Sequence, residues 1–519
     1  MTGCLINLEE VLDLLFLLLK NTAFLYHSLN CIDRLNEAST FRGMDFHRYM
    51  MLLVFILIPV LTYPATRHVP DDYPTIQAAV DAAGDGDTVL IADGVYSGPG
   101  NIDIQWDATI KHLVIMSENG RDHCTIDCVQ EGRGLTLDSG QDARDVIDGL
   151  TIINGGEVEA GGAILIDATS PRIINCSLLD NTCYGDMILY YGGGAIMVNG
   201  NAHPVIQGNI IRGNYGHQGG GGISFSEGAS GLLENNIIDR NETLSDGGGI
   251  ALHYNSNPLI INNLIINNFA SGSNGGGIYT STSSPAIINN TIAFNTTSIE
   301  YYPGKGGGIS IYGNPFPVIR NCIIWNNVSE FDAMNIDFYR NDWLDISYCN
   351  VENDLGHIFD LKPYTNIDSI PGFIDPDNGN FQLAGNSPCI NMGTPDTTGL
   401  FLPSTDLSGN GRIHEGRIDI GAYENIGATN TLTSMGGTDF QLYPNPSSGV
   451  LVLESCEDTG HDDLVVWISN TRGEIVWEEK IDAAKKRILV DISNQPVGIY
   501  LLTITSGQSV LFSQKVVKE

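Results

Sequence analysis

A tag of the form P-x-I-x-N-N-x-I-x-x-N recurs through the middle of this chain, and it leaves few folds open. It runs from Pro171 to Asn181, Pro204 to Asn214, Gly231 to Asn241, Pro258 to Asn268, Pro285 to Asn295 and Pro317 to Asn327. Before each lies a glycine cluster ending in isoleucine: Ile164, Ile196, Ile223, Ile250, Ile278 and Ile309. The starts at 204, 231, 258 and 285 are 27 residues apart, and the outer intervals carry five or six extra residues. The unit is therefore about 27 residues with loop insertions. Its apolar pieces are short, β-branched and period-2, as in Ile250-Ala251-Leu252, where the first and third side chains face one way. Strands this short cannot bury a core alone, but stacked turn upon turn they can. Successive strands then pair at roughly 4.8 Å and equivalent residues lie one above another. Isoleucines become ladders inside, while Asn181, Asn214, Asn241, Asn268, Asn295 and Asn327 form an asparagine ladder at a turn. Asn suits that place because it tolerates left-handed backbone and its amide can bond above and below. The glycines allow the sharp corner before the next strand. A leucine-rich repeat would need L-x-x-L-x-L spacing and a helix, and a propeller would need longer units of about 40 to 50 residues.

These tags resemble the right-handed parallel β-helix repeat of pectate-lyase-like proteins. The opening Val69-Pro70-Asp71-Asp72-Tyr73-Pro74-Thr75-Ile76-Gln77-Ala78-Ala79-Val80-Asp81-Ala82-Ala83 is similar to that superfamily's usual start. Ile76, Ala79, Val80 and Ala83 share one helical face, so residues 69–87 are read as a capping helix over an otherwise unpaired strand end. Ser387 to Gly393, Asp406 to Arg412 and Ile418 to Glu424 resemble the closing segment of many secreted bacterial β-helix proteins, which puts the coils at about 88–425. Cys322 and Cys349 lie 27 residues apart and read as stacked free thiols. Cys124 and Cys128 admit either a local disulfide or buried thiols, and the disulfide state of Cys176 and Cys183 stays open as well.

After a small-polar linker at 426–437 the repeat stops. Val450–Leu453, Leu464–Ile468, Ile475–Trp477, Ile488–Asp491, Ile499–Ile504 and Val510–Phe512 alternate as strands of a small β-sandwich over 438–519. Tyr443-Pro444-Asn445-Pro446, Thr471-Arg472-Gly473-Glu474, Pro496-Val497-Gly498-Ile499-Tyr500 and the tail Lys515-Val516-Val517-Lys518 closely resemble the type IX secretion C-terminal sorting domain of Bacteroidetes-type bacteria. A fibronectin-like adhesion module is the structural alternative. The resemblance implies export through the type IX machinery, with the product extracellular or held at the outer cell surface. At the other end, Met50 to Leu61 is one short apolar run behind His47-Arg48, with the shape of a signal peptide at 44–65. Met44 is then the true start and 1–43 an upstream extension; a short N-terminal anchor is the rival reading. The run is too short for a stable membrane span of about 20 residues. The whole is thus an all-β chain: a right-handed parallel β-helix solenoid followed by a small C-terminal β-sandwich.

Charge narrows the partners. The chain has 25 Lys and Arg against 61 Asp and Glu, a net charge of −36. Residues 71–430 hold 43 acidic and 13 basic residues, so most of the excess lies on the solenoid. Nucleic acid is excluded as a partner, since phosphate is bound by clustered Lys and Arg. Acidity makes Ca²⁺ the one cofactor to consider, but no EF-hand spacing appears, and Asp375 to Asn380 fits the closing segment better than a metal loop.

The β-helix resemblance implies a polysaccharide or surface glycan as ligand, and a glycan-binding or adhesive surface protein as the first reading. The alternative is a polysaccharide lyase or glycoside hydrolase. A lyase needs a base such as Arg, Lys, His or Tyr, and a hydrolase two facing carboxylates. Neither constellation is recognisable. The loops inserted before the glycine tags carry the local candidates: Tyr184, Asp186, Tyr190, Tyr191, Tyr215, His217, Asp246, Tyr301, Tyr302 and Lys305. Insertions at one point of successive coils gather on one side, where aromatic rings can stack on sugars. His217 is the one catalytic candidate. His253 and Tyr312, three residues past their isoleucines, point outward by alternation.

Overall fold

The structure, a computed structural model, describes residues 64–185, 192–298, 304–313, 316–330, 335–338, 344–352, 365–413, 416–426, 440–443, 447, 449–455, 464–470, 475–481, 487–506 and 509–518. The expected upstream extension and almost all of the expected signal peptide lie outside them.

The repeat folds as a right-handed parallel solenoid of about nine turns. Four parallel sheets form its walls. Sheet 1 has 11 strands, from Thr66–Val69 to Asp345–Ser347, and sheet 2 has 10, from Gly94–Ser97 to Asn350–Val351. Sheet 3 is built from two-residue strands, from Thr182–Cys183 to Val328–Ser329, and sheet 4 runs from Leu135–Leu137 to Ile336–Phe338. Register follows the 27-residue repeat: Ile206, Leu233, Ile260 and Ile287 pair in succession in sheet 1, and Ile223, Ile250, Ile278 and Ile309 in sheet 4. All eight are fully buried. Each such side chain contributes about 1.5–3 kcal/mol by leaving water, so the ladders form one continuous core along the axis.

Asparagine turns the corner between sheets 2 and 3. The Nδ2 of Asn214 donates to Asn241 Oδ1 at 2.8 Å and to Leu178 O at 2.9 Å, and the pattern repeats through Asn241, Asn268 and Asn295. Each Oδ1 also accepts the backbone N–H of the preceding ladder Asn. A second ladder, Asn209, Asn236, Asn263 and Asn290, turns the corner between sheets 1 and 2. It ends in cysteines on both sides: Cys176 N donates to Asn209 Oδ1, while Cys322 and Cys349 continue it as thiols, Cys322 N lying 3.4 Å from Cys349 Sγ. One part of the sequence argument changes here. Left-handed backbone falls on the residue before each ladder Asn, at Asp180, Gly213, Arg240, Asn267, Phe294 and Asn326. The ladder Asn is chosen for its amide, not its φ.

Glycine has two jobs at the corner before sheet 4. Gly247 and Gly275 have φ of +76° and +70°, and a Cβ on the next residue would strike the coil above: on Gly248 it would lie 2.4 Å from Gly276 O. Seven cysteines among the described residues are free and buried, including Cys124 and Cys128. Burial pushes the thiols of Cys124, Cys128, Cys176 and Cys183 up to about 12.

The first end is capped. A strand, Thr66–Val69, precedes helix α1 (Ile76–Ala82), whose Ile76, Ala79 and Val80 are buried. Thr75 Oγ1 caps its N-terminus, and the Lys111 ammonium binds the carbonyls of Val80, Asp81 and Ala83 at its C-terminal end, complementing the helix dipole.

Sequence similarity puts the coils to about residue 425, but the in-register strands of sheets 1 and 2 end at Ser347 and Val351. Residues 365–426 instead form a strap over the outer faces. Phe381 packs with Leu264, Ile266 and Ala293, Leu383 and Ile420 with Ile323, and Leu400 with Ile261 and Ile288. The strap docks on the exposed member of the Asn-Asn pairs: Asn289 Nδ2 donates to Asp419 O, and Gly421 N to Asn321 O. Gly421 sits at φ +102°, and a Cβ there would meet Ile323 Cδ1 at 2.7 Å. Within the strap, buried Arg412 pairs with Glu424 at 3.3 Å and donates to Gly421 O.

The C-terminal strands form a three-stranded and a four-stranded antiparallel sheet sharing one apolar core, including Leu451, Val466, Ile468, Val490, Leu502 and Val516. The sorting motifs are structural there: Tyr500 Oη donates to Pro496 O at 2.7 Å, and the Lys518 ammonium to Ser493 O and Gln495 O.

Asn241→Leu strands the Asn214 N–H and the Ile211 carbonyl, each costing about 1–3 kcal/mol when left unpaired, so denaturant unfolding should show a loss of about 3 kcal/mol or more. Asn267→Ala, one turn on and outside the ladder, should cost about 1 kcal/mol through its left-handed backbone. The seven buried cysteines should resist iodoacetamide at pH 8 in the native protein and react fully in denaturant, read by peptide mass spectrometry.

Candidate functional site

Sheet 3 sets the geometry of the most chemically distinctive surface. Its strands are two residues long; the second residue points in and is small (Cys183, Gly216, Thr243, Ala270, Thr297), while the first points out. The outward row is therefore stacked in register: Thr182, Tyr215, Glu242, Phe269, Thr296 and Val328. Tyr215 and Phe269 are two strand spacings apart, roughly 10 Å, with the Glu242 carboxylate between them. All three are half-buried. His217 lies edge-on to Tyr215 with ring centres 5.3 Å apart, and Tyr184, 53 % exposed, tilts against His217 at 5.7 Å. The structure thus brings Tyr184, Tyr215 and His217 together, as loop stacking predicts, and adds Glu242 and Phe269. Those two occupy the Tyr215 position in the following coils, 27 and 54 residues on.

Beside this row, across the Asn corner, Arg212 and Arg240 converge on one carboxylate. Arg212 Nε lies 2.8 Å and Arg240 Nη1 3.1 Å from Asp239 Oδ2, and Asn267 Nδ2 donates to Asp239 Oδ1 at 2.9 Å. Asp239 is buried, but the guanidiniums are 46 % and 65 % exposed.

The other candidates fall differently. Asp246 is buried; its Oδ1 accepts Asn274 N at 2.9 Å and Asn274 Nδ2 at 3.2 Å, fixing the glycine turn. Burial raises its pKa. His253 stands on the outer side of sheet 4, where alternation puts it, yet is only 4 % exposed, beside the rings of Tyr254 and Tyr279. Alternation gives direction but not exposure; Tyr312, in the equivalent position two coils on, is 52 % exposed. Lys305 is 3.9 Å from Asp337. Tyr190, Tyr191, Tyr301 and Tyr302, with Asp186, lie outside the described residues. No ion pair or hydrogen bond among the described residues joins the His217 imidazole to a carboxylate, the arrangement a His general base uses.

Among the described residues, His112, Asp142 and Asp145 bring ligand-type atoms within 4.8 Å of one another. Their bonding is that of a buckle. Asp145 Oδ1 accepts Leu113 N and Trp106 Nε1, and Oδ2 accepts Asp142 N and His112 Nδ1, the last at 2.6 Å. Four N–H donors occupy the carboxylate, far from the oxygen-rich shell Ca²⁺ takes.

Burial holds the His253 pKa down at about 4, against about 6.5 for a free imidazole. The unfolded chain therefore binds this proton first, and His253 contributes stability above pH 6.5 that is lost as pH falls towards 4, about 3 kcal/mol in all. His253→Gln should flatten this part of the profile, seen as a smaller drop in melting temperature between pH 7 and pH 4.5 than in the parent.

Comparison with known proteins agrees with this architecture. Residues 163–342 match the family described as right handed beta helix region, and residues 441–519 match the secretion system C-terminal sorting domain. No curated protein matches the chain. Among solved structures, a DUF3244-family protein with an immunoglobulin-like β-sandwich fold from Bacteroides vulgatus is 23 % identical over 16 % of this chain and 85 % of its own, with a TM-score of 0.14. The enzymatically active domain of tailspike protein 4 from bacteriophage CBA120 is 11 % identical over 83 % of this chain, which spans 62 % of that domain, with a TM-score of 0.23. No helix among the described residues is long and apolar enough to cross a membrane. The chain is a right-handed parallel β-helix protein that ends in a secretion-system C-terminal sorting domain, and so one destined for secretion and surface attachment.

Proposed function

We propose that this secreted surface protein binds glycans along sheet 3, using the in-register row Tyr215, Glu242 and Phe269 with Tyr184 and His217 at its edge. The observation that carries this reading is the row itself: two outward aromatic rings set by strand spacing on a rigid wall, with an acidic group between them. Aromatic faces stack on the apolar faces of sugars, and carboxylates accept their hydroxyls. Rigidity limits the entropy lost on binding, because Tyr and Phe immobilise few torsions. Binding, not turnover, fits the chemistry of the row, since His217 has no carboxylate to orient it.

The test is a glycan array followed by titration calorimetry on the purified full chain. Tyr215→Ala should weaken binding at least ten-fold with an unchanged melting temperature, and Tyr312→Ala, on sheet 4, should leave affinity as it is. Reducing-end or unsaturated-product release that disappears in His217→Ala would overturn the binding reading in favour of catalysis.

A further inference from the structure

We propose that the corner formed by Arg212, Arg240 and Asp239 is the hydroxyl-reading part of this surface and selects neutral sugars rather than uronates; this rests on the glycan reading above. Arg212 is three residues before Tyr215, so the two side chains leave adjoining faces with Cα atoms at most roughly 10 Å apart. Between them stand Gly213, which has no side chain, and the inward-turned Asn214. A sugar stacked on Tyr215 thus has the two guanidiniums at its flank. Each gives one N–H to Asp239 and keeps its other donors, with about half or more of the side chain open to solvent. Asp239 fixes both forks, so the donors are preorganised for neighbouring hydroxyls.

Charge decides the class of sugar. The carboxylates facing this corner are Asp239, already engaged, exposed Asp180 one coil earlier and Glu242 in register with Tyr215. Asp180 Oδ1 lies 2.4 Å from where a Cβ on Gly213 would be, so a carboxylate overhangs the space between Arg212 and Tyr215. Two cations against three anions cannot favour a second row of carboxylates. Residues 192–298 are nevertheless the least charged part of the solenoid, with five acidic and two basic residues. The corner therefore offers hydroxyls both donors, on Arg212 and Arg240, and acceptors, on Asp180 and Glu242, with little net field.

The experiment is calorimetric titration of the full chain at low salt without divalent cations, using cello-, manno-, xylo- and galacto-hexaose and hexagalacturonate. At least one neutral hexaose should bind ten-fold or more tightly than hexagalacturonate. Arg212→Gln and Arg240→Gln should each weaken that binding five-fold or more. Arg212→Lys, which keeps the charge towards Asp239 but loses the planar fork, should weaken it similarly with an unchanged melting temperature. Hexagalacturonate binding as tightly as the neutral sugars, or neutral binding indifferent to all three variants, would overturn the corner and leave the glycan reading standing. No binding of any hexaose here together with no binding on the array would overturn both.

Discussion

The amide-to-amide hydrogen bond between stacked asparagines is the interaction on which the rest of this molecule depends. A coil of about 27 residues must turn several corners, and each corner takes backbone groups out of the sheets and away from water. The ladder answers this with one side chain per coil. The Asn241 amide binds the Ile211 carbonyl and Asn268 Oδ1, while its oxygen takes the Asn214 N–H and amide. Every donor and acceptor in that buried corner is used, and each bond forms only if the neighbouring coil is in register. The ladder therefore specifies the stack as well as stabilising it.

Register in turn writes the surface. Because equivalent residues superpose, a surface feature needs only to recur at the repeat length to become a row, and the row is as rigid as the wall behind it. Tyr215, Glu242 and Phe269 form such a row, and Arg212 with Asp239 forms another one sheet away. The small inward residues of sheet 3 have a matching cause: two-residue strands between close corners leave no room inside for larger ones, so the chemistry of these strands is carried by their outward positions.

The paired asparagines also serve two partners. In Asn289-Asn290 and Asn321-Cys322 the second residue belongs to the inner ladder, and the first, held in left-handed conformation, faces the strap. Covering Leu264, Ile266, Ala293 and Ile323 removes an apolar face that a bare parallel sheet would expose. The buried Arg412–Glu424 pair closes the strap on itself, a geometry that holds only while both partners are present.

Much of this was written in the sequence. A period of 27 with alternating isoleucine and a recurrent Asn-Asn is enough to give the solenoid, its inner ladders, the stacked Cys322 and Cys349 and the helical cap, because each follows from local pattern repeated in space. The sorting motifs likewise marked the second domain and its destination. Tertiary structure alone decided three other things. It laid residues 365–426 across the outside of the coils, since nothing local distinguishes a coil from a strap with similar polar turns. It buried Asp246 and His253, because alternation fixes which way a side chain points and not what lies beside it. And it joined Arg212, Arg240, Tyr215 and Phe269 into one surface, although their spacing was legible, because only the fold shows that the corner between sheets 2 and 3 brings the two rows side by side.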